Sequence, residues 1–339
     1  MLWEVHQDTV GVDGMKIDPF AGAEADGRIW GRGACDVKGA MAAMLVALSR
    51  VVDEGAALAR PIVLAMTINE ERGFSGVKSL SRLWSDEETA TAEFSNVSGD
   101  LSFEEIRVLR PAAALVAEPT LLDVVVAHKG GVAWQCRALG KAAHSSQPER
   151  GINAVSAIAH LVRTVEQFDV EVLRQREPHP LCGLPSACVS TIHGGTGANT
   201  VPDHAVMDID CRLLPHERPA EARQTLIDYL ARATEGVAAT IQHDDPANQC
   251  VGLRDDNNHD WARQIAAVVD SVTDGSSDRS SQLIGVPFGT DAWVLSEIGI
   301  PTVVFGPGSI DQAHTDDEWI DIEQLELAAE VFYRLAIKP

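Results

Sequence analysis

The chain has 339 residues, of which 45% are hydrophobic and 5% aromatic, and it carries a net charge of −23. A single core rarely grows past about 250–300 residues, so more than one domain is expected. The acidic balance and the want of a Lys/Arg-rich run argue against a nucleic-acid partner, whose phosphates would be repelled. Taken in chain order, Leu2–Val5 reads as a short strand. Residues 40–52 place apolar side chains at 41, 44, 45, 48, 51 and 52, which is helical spacing in an Ala-rich stretch. Residues 61–68 read as a buried strand, as do Ala112–Ala117 and Pro301–Phe305. The acidic segment 84–107 reads as a surface excursion with some helix, and 274–281 as a loop.

From about residue 128 the pattern changes. Val132–Ala138 and Ala205–Leu213 alternate as two-sided strands, while 153–168 and 219–234 have amphipathic helical spacing. Helices at 258–271 and 322–336 return to the earlier style. Buried strands alternating with helices predict an α/β fold with a mostly parallel sheet, and the central stretch predicts an inserted α+β domain. The expected division is 1–126 and 244–339 for the larger domain and 127–243 for the insert. No apolar run approaches the roughly 18 residues that span a bilayer. Six cysteines without a CxxC pair, and no targeting segment ahead of the first strand, point to a reducing cytoplasm.

Four of these strands run into residues that bind metal or activate water: Leu2–Val5 into His6 and Asp8, 61–68 into Glu70 and Glu71, Ala112–Ala117 into Glu118, and Pro301–Phe305 into Gly306, Gly308 and then His314. In open α/β sheets, ligands bind beyond the carboxyl ends of the strands, so these residues should converge. Each motif alone is weak; four such endings together are not. Asp36, in GRGACDVKGA, is either the cap of the following helix or a carboxylate bridging two cations. Two histidines with several carboxylates and no thiolate suit Zn²⁺, with Co²⁺ or Mn²⁺ as substitutes. One of the adjacent Glu70 and Glu71 can bind metal while the other takes a proton from water.

The segments HQDTV, DGRIWGRGACDVKGA, NEERGFSG, AEPT, GKAAHSSQPERGINAV, GGTGANTVPD, GTDA and GPGSIDQAHTDDE resemble, in order and spacing, those of the dinuclear zinc aminoacylase and carboxypeptidase family. That family includes acetylornithine deacetylase and succinyl-diaminopimelate desuccinylase. The resemblance implies a zinc-peptidase-like catalytic domain with a ferredoxin-like inserted domain that makes a homodimer. It implies two Zn²⁺, one held by His6 and Glu118 and the other by Glu71 and His314, with Asp36 bridging them, often through a cis peptide to the next residue. Asp8 would bond His6 and fix its tautomer, and Glu70 would be the general base. His144 would reach the partner's site and stabilise the oxyanion. Asn199 and Arg212 would bind substrate, Arg212 its carboxylate, and Gly306 and Gly308 would form a backbone wall beside it. Family members carry a helix and strands ahead of the HxD strand, so amino-terminal elements are expected to be missing here. They also show Asp-Glu-Glu where this chain has Asn69-Glu70-Glu71, a change at a non-ligand position.

The segments AHSSQPERGINA and GPGSIDQAH look closest to acetylornithine deacetylase. The expected reaction is hydrolysis of an N-acyl amino acid, N-acetylornithine to ornithine and acetate, in cytoplasmic amino-acid biosynthesis. A carboxypeptidase, a dipeptidase or a succinyl-diaminopimelate desuccinylase shares every metal ligand and is the alternative. A non-catalytic truncated homologue is the reading from another class, and retention of Glu70 speaks against it.

Overall fold

A computed structural model describes residues 1–85, 103–273 and 281–337. They form two compact units: Met1–Ala127 with Arg254–Gly285 and Thr290–Pro339, and His128–Leu253 with Val286–Gly289. In chain order the elements are β1 (Leu2–His6), β2 (Ala23–Ala25), β3 (Arg28–Trp30), α1 (Gly39–Asp53), β4 (Val63–Thr67), α2 (Ser75–Ser85), α3 (Phe103–Val108), β5 (Ala114–Val116) and β6 (Val124–His128). Next come β7 (Gly130–Leu139), β8 (Ala143–His144), α4 (Ala154–Glu171), β9 (Ser186–Gly194), β10 (Thr200–Val201), β11 (His204–Leu213), α5 (Pro219–Ala233), β12 (Thr240–His243) and β13 (Asn248–Cys250). The chain closes with α6 (His259–Val272), β14 (Leu283–Val286), α7 (Ala292–Glu297), β15 (Thr302–Val304), β16 (Trp319–Asp321) and α8 (Ile322–Ile337). Most of the acidic segment 84–107 and nearly all of 274–281 lie outside the described residues.

The first unit is built on a six-stranded sheet of order β14-β6-β15-β5-β1-β4. β4, β1, β5 and β15 run parallel, and β6 is antiparallel to β15. This is the mostly parallel α/β sheet that the sequence predicts. β1 is buried at every position, as a strand covered on both faces must be. Its Trp3 packs on Phe332 of α8 at 5.3 Å between ring centroids, and Phe305 meets the same ring at 5.8 Å. β4 is the last strand of the sheet, and Met66 and Ile68 at its end are 44% and 58% exposed. Val46 and Val52 of α1 are exposed as well.

The second unit has an antiparallel sheet of order β12-β7-β11-β9, with β13 also on β7. β7 alternates buried and half-buried residues along nearly its whole length. The buried face, with Val132, Trp134, Met207 and Ile209, packs on Ile158 and Leu161 of α4 and Leu226 and Leu230 of α5. The sequence reading returns to the larger domain at 244, whereas this unit continues to Leu253 because β13 is drawn onto β7. Among the described residues no helix is long and apolar enough to cross a membrane.

Candidate metal centre

The parallel register of β1, β4 and β5 brings their carboxyl ends level: His6 lies opposite Thr67, and Glu4 opposite Val116. His6, Glu70–Glu71 and Glu118 therefore emerge at one edge of the sheet. His314 follows β15 and has φ 64°. Asp36 sits in a tight turn, Ala34–Lys38, that opens at Gly33 (φ 79°) and contains a cis peptide between Asp36 and Val37. It is not a helix cap: the residue preceding α1 is Lys38, and no side-chain capping bond is made there.

Two groups of donor atoms result, each within 4.8 Å: His6, Asp36 and Glu118, and Asp36, Glu71 and His314. Asp36 belongs to both and splits its oxygens. Oδ1 lies 3.1 Å from His6 Nε2 and Oδ2 3.3 Å from His314 Nε2. His314 Nε2 is also 3.0 Å from Glu71 Oε2, and His6 Nε2 is 4.0 Å from Glu118 Oε1. The donor set fits two divalent cations sharing one carboxylate. The Cys35 thiol donates to the Ser309 carbonyl at 3.3 Å and is in neither group.

Charge is concentrated here. Burial and the Asp36 carboxylate push the Glu118 carboxyl group up, and the same two causes act on Glu71. Burial works against a charged His6 ring, yet the bond to Asp36 and the carboxylates of Glu118 and Glu70 hold its pKa up at about 11. Burial likewise opposes ionised Asp36, but the bonds from His314 and His6 keep it well below the usual range. Two bound cations would replace the imidazolium protons that partly neutralise this knot of acids.

Glu70 is half-buried, and among the described residues its carboxyl group has no hydrogen-bond or ion-pair partner. Burial first, then the charge of Asp291, raises its pKa to about 8. Asn69 precedes it at φ 65°, a left-handed conformation that Asn tolerates as Asp does. Asp8 lies against His6 and also braces the strand beside it. Its backbone carbonyl, not its carboxyl group, meets His6 Nδ1, at 3.0 Å. Its carboxylate lies 3.7 Å from that nitrogen and accepts the amides of Glu70 and Glu71, each at 3.3 Å.

Gly306 and Gly308 are required for close packing. A Cβ at Gly306 would lie 2.5 Å from the Glu118 carbonyl, and Gly308 has φ 90° with Cys35 Sγ against it. Their backbone atoms bond Thr120, Leu121 and Leu122, bracing the turn after Glu118. Two further acids, Glu4 and Asp291, lie behind the centre. Glu4 is fully buried and Asp291 is 1% exposed, with Thr67 Oγ1 donating to both. The signal for Glu4 was one acid inside an otherwise apolar strand, LWEVH.

The remaining expected residues lie in the second unit. His144, on β8, is exposed and has Nδ1 2.8 Å from Ser146 Oγ. Asn199 is beside it: β8 pairs with β10, and the Ser145 amide donates to the Asn199 carbonyl at 2.9 Å. Arg212 stands apart on β11, opposite Gly131 and Ser186, and its Nε donates to Asp210 at 2.8 Å.

A sequence profile of peptidase family M20/M25/M40 matches residues 2–338. Among solved structures, the chain is similar to an M20 family metallo-carboxypeptidase from Sulfolobus solfataricus (TM-score 0.71, 18% identity, covering 98% of this chain and 83% of that one). It is also similar to aminopeptidase PepT from Bacillus cereus (TM-score 0.68, 20% identity, 99% and 80%). Human carnosine dipeptidase 1 gives TM-score 0.65 at 16% identity, over 98% and 80%.

Proposed function

The chain belongs to peptidase family M20/M25/M40 and is a metal-dependent hydrolase of amide or peptide bonds, and from that premise we propose that it is an N-acyl amino acid deacylase, releasing ornithine and acetate from N-acetylornithine. The observation that carries the reading is the divided Asp36 carboxylate, one oxygen towards His6 and the other towards His314, with Glu70 left unbound alongside. His6 and Glu118 would hold one Zn²⁺, Glu71 and His314 the other, and Asp36 both. When bound, the two cations supply Lewis acidity towards a carbonyl oxygen and make water more acidic.

The chain's own residues then handle protons and position. Glu70 accepts a proton from water and delivers it to the departing amide nitrogen. Its half-buried setting keeps bulk water from competing, and Asp8 fixes its backbone. For His144, Asn199 and Arg212 the support is their motifs. His144 would donate to the oxygen that gains charge, from the partner chain of a homodimer. Asn199 and Arg212 would bind substrate, the Arg fork suiting a carboxylate.

The acetylornithine reading rests on the AHSSQPERGINA and GPGSIDQAH segments, and the net charge of −23 accords with a cationic substrate. A second reading, an exopeptidase, is supported by the names of the structural neighbours, a carboxypeptidase, an aminopeptidase and a dipeptidase. Zinc-loaded protein assayed against N-acetylornithine, N-succinyl-diaminopimelate and simple dipeptides ranks them. Turnover of dipeptides with none of any acylated amino acid would reverse the order.

A further inference from the structure

Glu318 lies just past His314 and is fully buried. Its two carboxyl oxygens accept four hydrogen bonds. Oε2 takes Arg32 Nη1 at 2.8 Å and the Gly33 amide at 2.9 Å. Oε1 takes the amides of Cys35 at 2.8 Å and Asp36 at 2.9 Å. A carboxylate offers about four lone-pair sites, so this one is fully used. Three of its donors are consecutive or near-consecutive backbone amides of the turn that presents Asp36, and buried amides left without an acceptor are costly.

The placement follows from strand register. β16 pairs antiparallel with β3, Trp319 opposite Trp30, so the residue before β16 meets the residue after β3. The Gly31 amide donates to the Glu318 carbonyl at 3.0 Å, and Arg32 also reaches the Thr315 carbonyl at 3.1 Å. One short segment, 314–318, thus supplies His314 directly and grips the Asp36 turn from behind.

We propose that Glu318 is a positioning residue that sets the orientation of Asp36 and, through it, both cation sites at once. The proposal rests on the dinuclear reading of the centre. Asp36 can face His6 with one oxygen and His314 with the other only while its backbone is held. A group that acts through the shared ligand must affect both cations, whereas a terminal ligand such as Glu118 governs one.

The test is cobalt titration of the full chain, read by competition with a chelator and by the visible spectrum of the bound ions. Glu318→Gln replaces one acceptor oxygen by a donor that confronts amide hydrogens. It should weaken both cobalt ions by roughly ten- to a hundred-fold, the usual cost of losing a residue that supports metal ligands, and alter the spectrum. Glu118→Gln should weaken one ion only. Glu318→Asp keeps the charge and Arg32 but falls short of the turn; it carries the test if Glu318→Gln does not fold, and should weaken both ions more mildly. A folded Glu318 variant with wild-type affinities and spectrum overturns the proposal, as does a loss confined to one ion. Failure of both variants to fold assigns Glu318 to the fold alone and also overturns it. Wild-type protein that binds fewer than two cobalt ions overturns the dinuclear reading itself, and this role with it.

Discussion

The two units present their candidate residues in different ways. In the first, His6, Asp36 and Glu118 are 2%, 7% and 5% exposed, and each is delivered by a strand end or a turn whose backbone is pinned by distant segments, while Glu71 is half-buried and His314 exposed at the rim of the same centre. In the second, His144, Asn199 and Arg212 are exposed and held by short local bonds to Ser146, Ser145 and Asp210. Residues fixed by sheet topology cannot shift without disturbing the sheet; residues fixed locally can be tuned. The first unit should therefore be intolerant of change at its centre and the second graded in its response.

The largest effect should come from Asp36→Ala. It removes a ligand from both donor groups, so bound cobalt should fall below one ion per chain and turnover to background. Retention of two ions would mean that Asp36 bridges nothing. Glu70→Ala comes next: turnover should drop by about 10²–10⁴-fold, the range for a general base, with metal content near wild type. Metal analysis separates these cases, and loss of one ion on replacing Glu70 would show that Glu70 and Glu71 have exchanged roles.

In the second unit, His144→Ala should lower kcat by roughly 10²–10³-fold, the cost of one oxyanion donor, without loss of metal. Mixing it with Glu70→Ala chains should restore some activity if the site is shared in a homodimer; verified heterodimers with none would end the cross-chain role. Arg212→Lys keeps the charge and loses the fork. Its effect should fall on KM, roughly tenfold, about the worth of one charge-assisted hydrogen bond. An unchanged KM would leave Arg212 as the ion-pair partner of Asp210 alone.

The difference between the units also explains what the sequence could disclose. Strand ends were legible because a run such as PIVLAMTI stopping at Asn-Glu-Glu states both the strand and its terminus. The identity of Asp36 was not: cap and bridge have the same local sequence, and only the missing capping bond before α1 separates them. The Asp8 carboxylate also accepts the Glu70 and Glu71 amides, a contact set by the β1–β4 register that the HxD spacing does not encode. Glu318 and Asp291 act through partners distant in sequence, and no spacing encodes those. His144, Asn199 and Arg212 were found by resemblance alone, since an exposed residue on a short strand leaves no periodic trace.

The smallest expected effect is on stability, and it tests whether the acids of the first unit are as closely coupled as their positions imply. Consider the chain with cations chelated. Burial holds the Glu70 pKa at about 8 and that of Asp291 at about 6, above those of free carboxyl groups. Between their ordinary values and these, the folded chain binds protons that the unfolded chain has lost. His6, held at about 11, adds to the same imbalance above pH 6.5. Stability rises with pH only where the unfolded state binds more protons. Above the ordinary histidine range the native state binds more, so stability should fall as pH climbs from about 7 to 9. The depressed Asp36 acts in the opposite sense in acid, below the ordinary carboxyl range, and so do His128 and His243, whose pKa burial lowers to about 4 and whose effect ends near pH 6.5. Zinc should flatten the profile, because cations take over the neutralising role of the protons. Urea midpoints measured across this range, with and without zinc, give the comparison. A chelated chain whose midpoint rises towards pH 9 would mean that the acids are solvated and unpaired, and that the first unit's centre is as loosely held as the residues of the second.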